Sequence, residues 1–124
     1  MKRMLFVILF FSIGLSVIAA CQSSTSGDEI PAEFAGLENP YVDDENAAGT
    51  GMAIYEEKCQ RCHGTDAHGK GSAPNLVEAA NSHNEDYLFW WVSAGGDGFS
   101  MPAFSPELSD DEIWQVVTFI QQLD

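Results

Sequence analysis

"YEEKCQRCHGTDAHGKG", residues 55–71, sets two cysteines three positions apart with a histidine directly behind the second, then runs into a turn-rich loop. A Cys-x-x-Cys pair can close a disulfide, supply half of a zinc site or carry a haem. Only the last asks for histidine at the next position. Cys59 and Cys62 are one helical turn apart, so both thiols can reach vinyl groups on one edge of a porphyrin, and His63 can turn its imidazole onto the iron. Two other readings stand beside this one, a thioredoxin-like redox pair and a chance Cys-x-x-Cys beside a histidine. The redox pair usually opens a helix after a strand, whereas this motif closes a helix.

Upstream of the motif, Ala48, Met52, Tyr55, Cys59 and Cys62 fall at steps of four, three, four and three, one stripe of an amphipathic helix expected from Ala47. Downstream, Gly64, Gly69, Gly71 and Pro74 break the chain into a loop. In "NEDYLFWWVSAGG", residues 84–96, Asn84 can cap a helix. Leu88, Trp91 and Val92 give it an apolar stripe, and Gly95 or Gly96 can stop it. The final segment, "LSDDEIWQVVTFIQQL", carries the capping box Ser109-x-x-Glu112, with Asp110 and Asp111 suited to the positive end of a helix. Ile113, Val116, Val117 and Ile120 form its buried face. Nothing reads as a strand pair, so the expected class is all-α.

The start of the chain is different in kind. Lys2 and Arg3 precede the apolar run "MLFVILFFSIGLSVIAA", and small residues lead to Cys21. That order is an export signal; an uncleaved membrane anchor is the alternative, since the run is near the lower edge of the roughly 17–25 residues that span a bilayer. Ile18-Ala19-Ala20-Cys21 resembles the lipobox of bacterial lipoproteins, in which Cys21 would take a diacylglyceryl thioether and become the new N-terminus. Two or three fatty chains hold a protein firmly to a membrane where one does not. The organisation expected is a signal peptide at 1–20, a lipidated Cys21 with an acidic flexible tether to residue 46, and a domain over 47–124. Phe34, Leu37, Tyr41 and Val42 give the later tether something to pack with. The location expected is the periplasm or the outer face of a membrane, where an exported thiol pair would not stay reduced for zinc.

The 124 residues carry a net charge of −14. Loss of the leader removes two of five basic residues and none of nineteen acids, leaving three against nineteen and a charge of −16. Such a balance argues against nucleic acid and against adhesion to anionic headgroups. The three remaining cations, Lys58, Arg61 and Lys70, all lie close to the motif in sequence. The protein is therefore expected to be least negative near an exposed haem edge.

Taken together, the domain resembles the class I cytochromes c of the short bacterial single-haem type, and the resemblance covers residues 47–124. It implies three to four helices around one covalently attached haem c, which would staple a core too small to be secure alone. Gly51-x-x-x-Tyr55 matches the family's first helix, where the glycine lets that helix cross closely over the last, here at Val116 and Phe119. "APNL", residues 73–76, matches the family's proline loop. The resemblance then implies that the Pro74 carbonyl accepts the Nδ1 hydrogen of His63 and that Leu76 packs on the haem.

Met101-Pro102, in the Gly-rich loop "GDGFSMPAF", matches the distal pattern and implies Met101 as second axial ligand to the iron, opposite His63. A lone methionine is ordinarily core filler, and Met52, His68 and His83 are the competitors. Met52 belongs to the first helix's core stripe, while His68 and His83 are expected in solvent. Of Trp90 and Trp91, one indole N–H is expected to reach a haem propionate. With both axial positions filled, the iron has no open position for substrate. The expected function is electron carriage rather than catalysis: a lipid-anchored periplasmic monohaem cytochrome c passing single electrons between redox proteins of a respiratory or photosynthetic chain. The alternatives are a permanent subunit of a membrane redox complex, and a haem enzyme or gas sensor in which Met101 does not bind.

Overall fold

The computed structural model describes residues 29–96 and 101–124. Among them are five helices and no strand: α1 Glu45–Lys58, α2 Gln60–His63, α3 Leu76–Ser82, α4 Glu85–Ala94 and α5 Asp110–Gln121. The all-α class expected from the sequence is the class observed. The export signal and Cys21 lie outside the described residues.

α1 begins where Asp44 accepts hydrogen bonds from the backbone N–H groups of Asn46 and Ala47, an N-cap that satisfies two of the helix's four unpaired donors. Its buried face is Ala47, Ala48, Gly51 and Tyr55. Met52, expected on that face, is 48% exposed. The reason is the close approach at Gly51. A Cβ there would overlap the carbonyl of Gln115 and fall 2.9 Å from the Val116 nitrogen. The helix therefore turns its glycine onto α5, which leaves Met52, one residue and about 100° further round, facing solvent. Tyr55 completes the contact, its ring centroid 5.2 Å from that of Phe119.

α5 carries the expected capping box, with Ser109 and Glu112 bonded reciprocally. Ile113, Val116 and Val117 are fully buried. α4 places Leu88, Phe89 and Val92 against them, and Phe104 and Leu108 close the core from the loop that follows. Asn84 occupies the N-cap of α4 but makes no side-chain cap bond. α3 is not apparent in the sequence pattern: at seven residues it is too short to show a period, and none of its residues is fully buried. Its cap is nevertheless legible in retrospect, since Asn75 accepts from Val77 and Glu78 N–H.

Residues 31–44 form a strap that packs along the domain. Gly36 N–H donates to Asp86 Oδ2 at 2.8 Å and Asn39 N–H to Glu85 Oε1 at 2.8 Å. The Asn39 side-chain amide donates to Thr118 Oγ1 at 3.0 Å. Phe34 packs on Phe89 at 6.3 Å between centroids, and Phe89 stacks on Trp114 at 4.2 Å. The aromatic rings supply the apolar burial, while the amide and carboxylate partners satisfy the strap's backbone groups.

Candidate functional site

Cys59 ends α1, its N–H still bonded to Tyr55 O at 2.9 Å, and α2 continues the turn so that His63 N–H reaches Cys59 O at 3.0 Å. The motif is thus held as two linked helical turns. The Tyr55 hydroxyl donates to Gly64 O at 2.6 Å, tying the end of the motif back to α1. Burial, with Cys59 and Asp66 adding to it, pushes the phenol up to about 12, so this donor keeps its proton at any physiological pH.

His63 is 6% exposed, and its Nδ1 lies 3.2 Å from the carbonyl oxygen of Pro74. A carbonyl can only accept, so Nδ1 bears the proton and Nε2 carries the free lone pair, the tautomer that suits a metal. The loop that delivers Pro74 is itself pinned: Gly69 N–H donates to His63 O and Leu76 N–H to Ala67 O, each at 2.8 Å. Cys59 and Cys62 are free thiols. Burial pushes Cys59 up to about 11 against the opposing pull of Lys58. The motif closes α1 instead of opening a helix after a strand, which sets it apart from a thioredoxin-like pair.

Two adjoining cavities of about 290 and 280 Å³ share Cys59, His63, Pro74 and Met101 as lining. The outer one opens past Lys58, Arg61 and Cys62; the inner one is walled by Leu76, Leu88, Trp91, Val92, Val116 and Ile120. Met101 therefore borders the same space as His63. Its carbonyl accepts from Gly96 N–H at 3.1 Å, while Phe104 and Ser105 N–H bond to Val92 O and Ser93 O. These bonds fasten the Met101 loop to the end of α4. Leu76 lines the inner cavity.

Trp91, not Trp90, forms cavity wall, and its buried indole Nε1 has no partner among the described residues. His83 departs from expectation. It is half-buried, lines the inner cavity and stacks on Tyr87 at 3.8 Å between centroids. The extended residue between α3 and α4 turns the imidazole inward, where an aromatic face receives it. His68 is exposed, as expected. His83 and Tyr87 were not legible as site residues because their place depends on how α3 and α4 meet.

The donor set fits a haem c. Two free thiols stand at one side of a largely apolar space, an imidazole whose Nδ1 lies against a carbonyl lines it, a thioether side chain borders it, and an indole N–H on its wall lacks an acceptor among the described residues. A cofactor of this size is what the paired cavities would hold.

Comparison with known proteins agrees. Residues 46–120 match the protein family described as cytochrome c oxidase, cbb3-type, subunit III. The cbb3-type cytochrome c oxidase subunit FixPc of Rhizobium leguminosarum bv. viciae is 31% identical over 77% of this chain and 34% of its own length. Cytochrome c550 of Pseudomonas aeruginosa is 26% identical over 68% of this chain and 61% of its own. Among solved structures, cytochrome cL of Methylophaga aminisulfidivorans superposes with a TM-score of 0.58 at 27% identity, covering 68% of this chain and 59% of that one. The chain spans about a third of the length of the oxidase subunits it matches.

Proposed function

The chain belongs to the family of cytochrome c oxidase, cbb3-type, subunit III, and from that premise we propose that it is a monohaem electron-transfer subunit of a membrane oxidase. The haem, when bound, supplies a reversible one-electron couple. The rest is the work of this chain's residues. Cys59 and Cys62 would hold the cofactor by thioether bonds, and His63 would offer Nε2 to the iron. The Pro74 carbonyl orients the imidazole and strengthens it as a donor. Met101 offers a soft, neutral sulfur, a ligand that with histidine raises the potential. Leu76, Leu88 and Val116 keep the inner cavity dry.

The observation that carries this reading is the buried His63 with Nδ1 on a carbonyl, facing a cavity that Met101 also borders. The sequence favoured a diffusing shuttle; the family match and the oxidase relatives favour the fixed subunit. The similarity to cytochrome c550 keeps the free carrier as the second reading. In either case redox proteins are the partners, and a lipidated Cys21 would hold the protein at the membrane.

A haem stain on a denaturing gel tests attachment. The wild-type band stains when the protein is made with a cytochrome maturation system, and the Cys59→Ser/Cys62→Ser double variant does not. An unstained wild-type band overturns the reading. Gentle solubilisation then separates the two forms: co-elution with oxidase subunits supports the subunit, and a monomeric peak the free carrier.

A further inference from the structure

Two glycines stand directly behind the segments that carry the axial groups. Gly69 has φ +83°, and a Cβ on it would lie 2.9 Å from both the carbonyl carbon and oxygen of Pro74 and press on the carbonyl of Ala73. That Pro74 oxygen is the one facing His63 Nδ1. Gly95 ends α4 at φ 75°, ψ 175°, a conformation essentially confined to glycine. A Cβ on it would lie 2.6 Å from Met101 O and 2.8 Å from both Pro102 C and Ala103 N. In both places the obstacle is backbone, which cannot swing aside as the end of a side chain can. Gly71 offers the contrast: φ is +61°, yet nothing lies within 4 Å of its Cβ position.

We propose that Gly69 and Gly95 are positioning residues that set His63 and Met101 independently, each through the backbone it lies against. The absent Cβ at Gly69 lets the Pro74 carbonyl reach the imidazole. The absent Cβ at Gly95 lets the Met101–Ala103 backbone settle where the thioether enters the cavity. The inference rests on the proposed His63 and Met101 ligation. The two sites act on the iron with opposite sign. A carbonyl accepting from Nδ1 makes the imidazole a stronger donor and favours the oxidised state, so pushing it away raises the potential. The thioether favours the reduced state, so displacing it lowers the potential.

The test uses haem-loaded Gly69→Ala, Gly95→Ala and, as control, Gly71→Ala. Gly95→Ala is expected to lose the long-wavelength sulfur–iron absorption band, bind carbon monoxide when reduced, and fall in potential. Gly69→Ala is expected to keep the band and rise in potential. Gly71→Ala is expected to match wild type in all three readouts. If Gly69→Ala and Gly95→Ala match the control, or shift in the same direction, the proposal is overturned. Should Gly69→Ala not accumulate, Gly69→Asn places the same Cβ with less backbone strain, because asparagine tolerates positive φ better; should Gly95→Ala not accumulate, reduced-minus-oxidised and carbon monoxide difference spectra of membranes carrying the newly made protein read the same outcomes. The ligation itself is checked separately. A wild-type band that Met101→Ala leaves unchanged overturns the proposed ligand set, and this inference with it.

Discussion

Trp91 Nε1 is a buried donor on the wall of the inner cavity, without an acceptor among the described residues. Leaving such a group unsatisfied costs about 1–3 kcal/mol, so an acceptor brought by the cofactor would recover what the protein alone does not. A haem propionate is the acceptor expected there. Trp91→Phe is then expected to retain covalent haem and to lower the midpoint potential, because the carboxylate loses a donor and its uncompensated charge favours ferric iron. Redox titration of the purified variant checks this, and an unchanged potential would mean that the indole serves only as wall. His83 and Tyr87 border the same cavity, which makes this end of the site richer in polar tips than the motif suggested.

At the level of elements, the strap and the start of α5 carry the informative contacts. Thr118 is 2% exposed, accepts from Asn39 Nδ2, and shares its hydroxyl hydrogen between Trp114 O at 2.9 Å and Tyr41 O at 3.3 Å. Thr118→Val removes that junction and leaves a buried amide short of an acceptor. A loss of about 1–3 kcal/mol is expected in denaturant unfolding, together with faster proteolysis within residues 31–44. Equal protease resistance would show that the aromatic packing of Phe34 suffices to hold the strap. The α5 cap gives a pH signature. The Ser109 N–H and hydroxyl hold the Glu112 carboxyl below its ordinary range. A lowered pKa contributes stability that is present above the unfolded value and is lost as pH falls through the folded one. Glu112→Gln is therefore expected to flatten the acid side of the stability profile, as read from urea midpoints across pH, and to leave the neutral-pH slope unchanged.

Across the molecule, charge is distributed less simply than the sequence implied. Lys58 is not a free cation at the cavity mouth, since its Nζ lies 3.3 Å from Glu107 and 3.7 Å from Glu57. It joins α1 to the loop behind Met101, which leaves the exposed Arg61 on the lining of the outer cavity and the exposed Lys70 in the loop after the motif. Arg61→Glu or Lys70→Glu is expected to change the electron-transfer rate with the native partner more than Asp43→Lys, the difference shrinking as salt screens the surface. Stopped-flow rates over an ionic-strength series decide it; equal effects would mean that net charge alone governs the encounter. No helix among the described residues is long and apolar enough to cross a membrane. If Cys21 carries the anchor, Cys21→Ser behind a cleavable export signal is expected to yield soluble protein with an unaltered absorption spectrum.

The pattern that points to the cofactor is local, and so the sequence by itself determined where the candidate site lies. Cys59, Cys62 and His63 lie within five residues, Met101 stands beside Pro102, and a capping box or a helical stripe needs no distant partner to be read. Gly51 belongs with these, because a helix face that must touch another backbone needs a residue without Cβ. The tertiary structure alone decided which way each face points. Met52 lies in solvent because Gly51 claims the contact with α5. His83 lies inward because α3 and α4 meet at an aromatic ring, and Lys58 is paired because a loop fifty residues later brings Glu107 to it. The strap is bound because Glu85, Asp86 and Thr118, far along the chain, offer it acceptors and apolar rings offer it burial. Periodicity records how an element is built, whereas orientation follows from packing between residues far apart in sequence.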